Sequence, residues 1–434
     1  MPEIQAPGFA AALLSSPQAG MHEWWRQIAS VGTPLLEPQG EQQVRMTFLW
    51  RDPAGTERHS TIRQVYIDVN GVTDHHHFTP QSLQRLPGTD VWHWSVEIER
   101  DWRGSYCLIP VGSEHLPPAF TDHEQQREWW CSLFPLMTAD PLNPSTPWDT
   151  WTGKQLSAVH LPDALPQAAW SSTDGGTAVP ADPSRRFTFE WHSPQLGNCR
   201  RIWLYVTGHA DEPAARPLAI VLDGQKWAEE TPLFAPLDEE TDAGRLPAAV
   251  YLFIDAIDMP RRSQELPCNP VFWRAVQDEL LPMAAQYAAF SDDPDRTLVS
   301  GQSYGGLASL YAGLHWPERF GRVLTQSGSF WWPHQKVLTC MGGRHEQDVG
   351  MLIAEVRQRG RTARPLVVFQ EAGRRESDIH FVNQQMNAAL NAAGHHVHYR
   401  VYNGGHDMLC WRGGLIDGLR WLLTTQPITT NNKE

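Results

Sequence analysis

The stretch from Arg296 to Gly306 constrains the fold of this chain more than any other part of the sequence. Residues 297–300 predict a short buried strand, and the residues after Gly306 repeat apolar side chains at helical spacing. Between them, Gly301-Gln-Ser-Tyr-Gly305 matches G-x-S-x-G, a pattern that places a serine on a sharp turn between a strand and a helix. The stretch therefore predicts an α/β domain in which Ser303 is a nucleophile.

The glycines of this motif have a physical purpose. A serine on such a turn has a strained backbone, and neighbours without side chains let the strand and the helix approach closely. The turn exposes the Oγ of Ser303, and the helix N-terminus behind it favours developing negative charge. The alternative is a glycine-rich turn with an idle serine, because the five-residue pattern alone is common by chance.

Length and charge narrow the class of protein. The 434 residues are enough for two or three domains, each with its own core. The net charge of −14 argues against a general binder of nucleic acid or membrane surfaces. No apolar run approaches the roughly 18 residues of a membrane span, and residues 9–14 are too short for a signal peptide. We therefore expect a cytoplasmic protein with reduced cysteines, although a Cys268–Cys410 bridge stays open.

The pattern of predicted elements changes along the chain. Residues 1–159 contain short strands separated by turn signals, which predict a β-sandwich. Residues 160–185 are rich in Pro, Ala, Ser, Asp and Gly, a composition typical of a linker. In residues 186–434 strands alternate with helices, which predicts a mostly parallel sheet. The strands predicted in the first part are residues 44–50, 61–69, 91–98 and 105–109.

A serine nucleophile needs a base to take its proton and an acid to orient that base. In an α/β-hydrolase the order along the chain is serine, acid, histidine, so the base must come well after Ser303. His406 follows the last predicted strand, and Gly404 and Gly405 are expected to give its loop the freedom to direct the ring. The other late histidines lie in or beside strands and helices. His406 is therefore the predicted base, and an incidental surface histidine is the alternative.

The acid is expected in the loop after the predicted strand at residues 366–370. Three carboxylates are candidates there. Glu371 is still on the strand end, whereas Glu376 lies beyond a turn that can direct it towards His406. We therefore prefer Glu376, with Asp378 second, on position alone.

Further groups complete the predicted site. Backbone N–H groups for the oxyanion are expected at Tyr304 and at Gln225, which lies in a turn after an early strand. Arginines and tryptophans follow several predicted strands, where open α/β sheets bind ligands, and together they predict an anionic, aromatic substrate. These residues are Arg262, Arg374, Arg375, Arg412, Trp331, Trp332 and Trp411. The run His75-His-His77 has no second ligand cluster at a telling spacing, so no metal site is predicted.

Longer motifs in both halves of the chain carry a family resemblance. They are Leu314-His-Trp-Pro-Glu-Arg-Phe-Gly321, Gln326-Ser-Gly-Ser-Phe-Trp-Trp332, Gly404-Gly-His-Asp-Met-Leu-Cys-Trp-Arg-Gly-Gly414, Trp50-Arg-Asp-Pro53, Gly71-Val-Thr-Asp-His-His76 and Asp101-Trp-Arg-Gly-Ser-Tyr106. Through them the chain resembles the bacterial enterochelin esterases over nearly its whole length. These motifs are far more specific than G-x-S-x-G.

The resemblance implies a cytoplasmic serine esterase that cuts the tri-lactone ester bonds of the siderophore enterobactin. The products would be dihydroxybenzoyl-serine units, which hold Fe(III) less tightly. The family's catalytic residues fall on Ser303, His406 and Glu376, and one of its arginines falls on Arg262. Iron would arrive with the substrate, without a resident cofactor, and the N-terminal domain would be an immunoglobulin-like sandwich.

Several choices stay open at this point. Some family members prefer glucosylated salmochelins, and residues 340–364 differ from what the plain esterase leads us to expect. A feruloyl- or acetyl-type carbohydrate esterase is a second function, although such enzymes are usually secreted. A non-catalytic siderophore-binding protein is a third, against which the intact Ser303, Glu376 and His406 argue. The sequence predicts neither the oligomeric state nor the choice between ferric and iron-free substrate.

Overall fold

The structure, a computed structural model, describes residues 3–74, 80–149, 154–334 and 349–425. The chain forms two units. The first unit consists of Met1–Pro166 and Tyr402–Cys410, and the second of Gln167–Val401 and Trp411–Glu434. Within the described ranges, no helix is both long enough and apolar enough to cross a membrane.

The first unit is built mainly from antiparallel strands. Its helices are α1 (Phe9–Leu14), α2 (His22–Val31) and α3 (His123–Ser132). Its strands are β1 (Leu35–Gln39), β2 (Gln43–Arg51), β3 (Gln64–Val69), β4 (Gln81–Arg85), β5 (Val91–Glu99), β6 (Arg103–Val111), β7 (Trp148–Asp149) and β8 (Gln155–His160). Their order is β1-β2-β5-β4-β3-β6-β8-β7, and all neighbours pair antiparallel.

Strand β4 connects two halves of this arrangement. Residues 81–83 pair with β3, whereas Gln84 and Arg85 pair with β5. Side chains from both halves share one core, in which Phe48, Ile67 and Leu108 are completely buried. The four strands predicted from alternation in this region are confirmed as β2, β3, β5 and β6.

The second unit surrounds a mixed sheet. Its strands are β9 (Arg186–Ser193), β10 (Asn198–Val206), β11 (Leu218–Val221), β12 (Val250–Ile254), β13 (Thr297–Gln302), β14 (Arg322–Gln326), β15 (Val367–Gly373) and β16 (His396–Tyr402). Its helices are α4 (Ser171–Asp174), α5 (Phe234–Asp242), α6 (Met259–Glu265), α7 (Pro270–Ala275), α8 (Leu281–Ala284), α9 (Tyr304–His315), α10 (Met351–Arg359), α11 (Asp378–Ala392) and α12 (Met408–Thr424). Strand β16 and helix α12 each run across a boundary between the units.

The order of strands in the second sheet is β9-β10-β12-β11-β13-β14-β15-β16. Strands β12, β11, β13, β14 and β15 are parallel, while β9 and β10 pair antiparallel with each other and β10 with β12. The strands β11 to β15 are buried along their length, as expected for parallel strands covered on both faces. The predicted parallel sheet is therefore present, and its strands end on one edge together.

The limits of the units differ from the predicted domains in two places. The predicted linker, residues 160–185, contains packed side chains, since Leu161 and Trp170 are 2% and 1% exposed. The segment Tyr402–Cys410, predicted as part of residues 186–434, belongs to the first unit. Its backbone is bound there, because Arg103 N donates to Asn403 O at 3.0 Å. The domain limits 1–159 and 186–434 themselves stay a prediction.

Candidate active site

Ser303 occupies the predicted turn between β13 and α9. Its backbone has φ 58° and ψ −120°, a conformation that residues other than glycine rarely adopt. A Cβ on Gly301 would lie 2.5–2.8 Å from the backbone of Gly305, and one on Gly306 would lie 2.7 Å from Thr325 Oγ1. The glycines of the motif therefore serve the close approach of strand and helix, as the sequence predicted.

The hydroxyl of Ser303 has a serine neighbour. Ser303 Oγ and Ser329 Oγ are 3.2 Å apart, and either oxygen can be the donor. The backbone N–H of Ser329 donates to Ser303 O at 3.1 Å, and Ser303 N–H donates to Gln326 O at 3.0 Å. The turn after β14 thus fixes the backbone of Ser303 and contacts its side chain.

The two predicted oxyanion donors lie at the same edge of the sheet. Tyr304 is the first residue of α9, where N–H groups have no partner within the helix and the helix dipole is positive. Gln225 follows β11, the neighbour of β13, and its side chain accepts a hydrogen bond from Ala256 N at 3.1 Å. A Cβ on Gly305 would lie 3.4 Å from Asp223 Oδ2, so the turn after β11 packs against α9.

Of the three acid candidates, Glu376 is held through one of its carboxylate oxygens. Its Oε2 accepts hydrogen bonds from Ser327 Oγ at 2.7 Å and from Gly373 N at 2.5 Å. Glu371 is completely buried and pairs with Arg400 at 2.6 and 2.9 Å. Burial raises the pKa of Glu371 against the opposing effect of Arg400. Glu371 is therefore part of a structural ion pair.

Asp378, the second choice for the acid, is the first residue of α11. It follows Ser377, whose φ of 46° turns the chain into that helix. The choice of Glu376 over Asp378 stays a prediction.

His406 lies in the loop between β16 and α12, within the segment Tyr402–Cys410 of the first unit. Its backbone carbonyl accepts a hydrogen bond from Asn70 Nδ2 at 3.1 Å. The neighbouring Asp407 accepts from Ser105 N at 2.6 Å through Oδ2 and from Leu409 N at 2.9 Å through Oδ1. The loop is therefore held by several hydrogen bonds on both sides of the histidine.

The expected reason for the two glycines before His406 was wrong. They were expected to give the loop freedom, but neither has a positive φ. A Cβ on Gly404 would lie 2.8 Å from Arg103 O, and one on Gly405 would lie 2.6 Å from Gly71 N. The glycines instead let the loop pack closely against the backbone of the first unit.

Arg262 is buried in an ion pair beside the serine turn. Its Nε and Nη2 donate to Asp223 at 2.6 and 2.7 Å, and Nη2 also donates to Gln302 O at 3.2 Å. Burial alone would raise the pKa of Asp223, but the guanidinium outweighs it and holds the pKa below its usual value. Arg262 is predicted to bind substrate, yet these contacts favour a structural role for its charge.

Arg412 is held in the same manner. It donates to both oxygens of Asp174 at 2.7 and 2.6 Å and to Gln167 Oε1 at 2.8 Å, and it is 6% exposed. Arg374 is exposed and Arg375 is half-buried, both in the turn after β15. The predicted arginine group therefore divides into two buried structural residues and two at the surface.

The predicted tryptophans divide similarly. Trp331 and Trp332 are half-buried after β14, and the ring of Trp331 lies 5.8 Å from that of Tyr304. Trp411 is 6% exposed, and its Nε1 donates to Ser327 Oγ at 2.9 Å. Trp411 therefore supports the residue that binds Glu376.

Six residues other than glycine have positive φ in the described chain, and all belong to the second unit. Five of them follow β11, β12, β13, β14 and β15 in turn. They are Asp223 (φ 53°), Ile257 (66°), Ser303 (58°), Ser327 (49°) and Ser377 (46°). Such backbone strain persists only where the surroundings enforce it, and it concentrates at functional sites. In the described part of the first unit, only glycines have positive φ.

Metal ligands and thiols complete the comparison with the sequence. The run His75-His-His77 lies outside the described residues. Among those that are described, Glu190, His192 and Cys199 have ligand atoms within 4.8 Å of one another, but all three are exposed. The prediction that the site contains no metal stays a prediction. Cysteines 107, 131, 199, 268 and 410 are free, as expected for reduced thiols.

Sequence reasoning gave no individual role to Ser327, Ser329 or Asp223. All three follow strands whose carboxyl ends meet at one edge of the sheet. A small polar residue directly after a buried parallel strand was the signal that could have found them.

Comparison with known proteins gives the class and the family. A family model described as "Enterochelin esterase, N-terminal" matches residues 45–170, and one described as "Putative esterase" matches residues 193–422. The iron(III) enterobactin esterase of Dickeya dadantii (strain 3937) is 67% identical over 429 residues, which are 98% of each chain. The iron(III) salmochelin esterase of Escherichia coli O6:H1 is 29% identical over 433 residues, 96% of this chain and 98% of that one.

Solved structures agree with the sequence matches. The crystal structure of the enterobactin esterase from Shigella flexneri in the presence of enterobactin has a TM-score of 0.81 and 43% identity to this chain. It covers 93% of this chain and 98% of that one. The sheet with its serine turn and the matching domain models define an esterase. The chain belongs to the enterochelin esterase family, which confirms the resemblance found from the motifs.

Proposed function

We propose that this protein hydrolyses the tri-lactone ester bonds of enterobactin to dihydroxybenzoyl-serine units. The observation that carries the proposal is the 67% identity, over 98% of both chains, to an iron(III) enterobactin esterase. Hydrolysis separates the three catechol groups, so Fe(III) loses the chelate effect and is released. Iron is part of the substrate, and we propose that the reaction needs no resident cofactor.

The proposed mechanism uses the residues found from the sequence. His406 removes the proton of Ser303, whose Oγ attacks a lactone carbonyl. The N–H groups of Tyr304 and Gln225 bind the oxyanion, and Glu376 orients the histidine. Water then releases the acyl group. The order of serine, acid and histidine along the chain and the fixed carboxylate of Glu376 support these roles.

Substrate contacts are proposed for the residues whose side chains reach the surface. The exposed Arg374 and half-buried Arg375 would bind the anionic tris-catecholate, and the half-buried Trp331 and Trp332 would contact its rings. The buried residues Arg262, Arg412 and Trp411 would instead stabilise the loops around the site. Their partners are Asp223, Asp174 and Ser327, respectively. The buried partners therefore distinguish the residues with a structural role from those proposed to bind substrate.

The finer assignment of the folds is part of the same proposal. In the second sheet the antiparallel strands β9 and β10 come first, and the parallel strands follow with β12 placed before β11. This strand order supports an α/β-hydrolase domain. The shared core of the two strand groups linked by β4 supports an immunoglobulin-like sandwich for the first unit. As the family resemblance implies, we place the reaction in the cytoplasm, with neither nucleic acid nor membrane as a partner.

The relative identities favour enterobactin over its glucosylated forms as the preferred substrate. The chain is 67% identical to the enterobactin esterase and 29% identical to the salmochelin esterase, each over nearly full length. We therefore expect faster cleavage of enterobactin than of a diglucosylated analogue.

Liquid chromatography of the products tests the proposal. The wild type, Ser303→Ala and the control Ser15→Ala would each receive ferric and iron-free enterobactin and the diglucosylated analogue. Ser15 is exposed in the first unit, so its replacement should leave the rate unchanged. Ser303→Ala should lower kcat by about a thousandfold or more. Release of dihydroxybenzoyl-serine that does not depend on Ser303, or no release at all, contradicts the proposal.

A second pair of variants tests the acid. Glu376→Gln should lower kcat by about a hundredfold or more, because a neutral amide cannot stabilise the imidazolium that forms during the reaction. Asp378→Asn should remain within a few-fold of the wild type. The reverse result would reassign the acid to Asp378.

A further inference from the structure

Ser327 connects Trp411 to Glu376 through a directed chain of hydrogen bonds. Trp411 Nε1 is 2.9 Å from Ser327 Oγ, and Ser327 Oγ is 2.7 Å from Glu376 Oε2. An indole N–H can only donate and a carboxylate can only accept. The hydroxyl therefore accepts a hydrogen bond from Trp411 and donates one to Glu376.

The backbone of Ser327 is held in an unusual conformation. Its φ is 49°, and the residue is completely buried. Ser327 N donates to Glu371 O at 2.8 Å, and Asn383 Nδ2 donates to the carbonyl of the next residue, Gly328, at 2.9 Å. A buried serine in a strained turn, with its hydroxyl fixed at both ends, indicates that the position serves a purpose beyond packing.

Trp411 and Glu376, the two ends of this chain of hydrogen bonds, are held by further hydrogen bonds. Gln326 Nε2 donates to Trp411 O at 2.9 Å, so the tryptophan is bound to the end of β14 through both its backbone and its side chain. Gly373 N, at the end of β15, provides the second donor to Glu376 Oε2. One oxygen of the carboxylate therefore receives two fixed donors from two strand ends, which leaves the direction of the carboxylate little freedom.

We propose that Ser327 is a positioning residue for the catalytic acid, and that Trp411 orients its hydroxyl for this purpose. The inference rests on the proposed function, in which Glu376 orients the base. In this role Ser327 acts on the reaction through Glu376. Its removal should lower kcat and leave KM nearly unchanged, because the bound substrate loses no contact.

Two replacements of Ser327 separate the hydroxyl from the backbone. Ser327→Ala and Ser327→Gly both remove the hydroxyl, but glycine accepts a φ of 49° without strain. If the hydroxyl matters, both variants should lose about tenfold or more in kcat, with KM within about twofold. If Ser327→Gly keeps full activity, only the backbone matters and the inference is overturned. Because Ser327→Gly relieves strain, it also serves where Ser327→Ala folds poorly.

Trp411→Phe tests the hydrogen bond that Trp411 donates to Ser327. It keeps an aromatic ring and removes the N–H, so a smaller loss of roughly threefold in kcat is expected. Thermal unfolding of each variant checks that the fold is retained. An unchanged kcat in a folded Trp411→Phe would remove Trp411 from the proposal.

A double-mutant cycle tests whether Ser327 acts through Glu376. In the Glu376→Gln background, Ser327→Ala should cause no further loss beyond about twofold, since the group it positions is already disabled. Losses that multiply would show that Ser327 acts independently, which overturns this inference alone. If Glu376→Gln itself keeps full activity, the acid assignment in the proposed function fails, and the role of Ser327 fails with it.

Discussion

Asp140 in the first unit and Asp223 in the second are both buried carboxylates, with 1% and 3% of their surface exposed. The side chains that donate hydrogen bonds to Asp140 are neutral, namely Thr33 Oγ1 at 2.6 Å and Tyr106 Oη at 2.7 Å. Asp223 instead faces the guanidinium of Arg262 through two parallel bonds of 2.6 and 2.7 Å. Burial is the same in the two cases, and the charge of the partner is different.

The difference appears in the direction of the two pKa shifts. Burial raises the pKa of Asp140, and its hydrogen bonds do not offset this effect. Burial acts on Asp223 in the same direction, but the charge of Arg262 outweighs it and lowers the pKa. Neutral donors can satisfy a buried carboxylate without securing its charge. Beside the serine turn the protein keeps a fixed ion pair, whereas in the first unit a buried carboxylate with neutral hydrogen-bond donors has a raised pKa.

The largest expected effect separates the two sites at pH 7. Asp223→Asn leaves Arg262 buried without its counter-ion and should lower the free energy of unfolding by about 3–5 kcal/mol. Asp140→Asn removes a carboxylate whose side-chain hydrogen-bond donors are neutral, and the hydroxyls of Thr33 and Tyr106 can rotate to accept from the amide. Its cost should be about 1 kcal/mol or less. Urea unfolding followed by tryptophan fluorescence measures both, and equal costs would contradict the comparison.

A smaller effect is the opposite pH dependence of the two contributions. The folded pKa of Asp223 lies below the roughly 3.9 of an unfolded aspartate, so its contribution is complete above about pH 4 and is lost as the pH falls. The folded pKa of Asp140 is raised, so its contribution is complete below about pH 4 and is lost as the pH rises through the folded pKa.

Unfolding free energies of the wild type and the two asparagine variants, measured between about pH 3 and pH 7, test these signs. The deficit of Asp223→Asn should shrink as the pH falls below about 4. The unfolding free energy of Asp140→Asn should increase relative to that of the wild type as the pH rises above about 4. Curves that run parallel to the wild type at every pH would show that neither carboxylate titrates differently in the folded state.

The smallest effect concerns one neutral donor. Thr33→Val keeps the shape of the side chain and removes one of the hydroxyls bound to Asp140, while Tyr106 still donates to the same oxygen, so a loss of about 1 kcal/mol is expected. Thr424→Val is the matched control, because Thr424 is exposed and its hydroxyl bonds only within α12. The control should change stability by less than about 0.5 kcal/mol. Similar losses in the two variants would mean that the donor to Asp140 contributes nothing specific.

The features that could be predicted from the sequence are those set by residues close together in the chain. The serine turn, the strand alternation of β2 and β5 and the alternating elements of the second unit follow from neighbouring residues. The roles of the arginines do not. Arg262 meets Asp223 from 39 positions away and Arg412 meets Asp174 from 238 positions away. A sequence shows that an arginine lies in a loop, but only the fold shows which carboxylate neutralises it.

The loop with His406 illustrates the same limit. Its glycines suggested freedom, because glycine is permissive when considered alone. Their purpose became visible only with Gly71 and Arg103 beside them, more than three hundred positions earlier in the chain. Short-range conformational preference and long-range close packing use the same residue type, and the sequence pattern does not distinguish them.

The strained residues that follow the five parallel strands have a consequence for engineering. Glycine at Ser377 or Ile257 would relieve a left-handed backbone conformation. A screen for heat resistance would therefore be drawn to the very edge that carries Ser303. The gains would come from loosening the turns of the proposed active site. In the described part of the first unit glycine already occupies the left-handed positions, so the same replacement has no strain to relieve there.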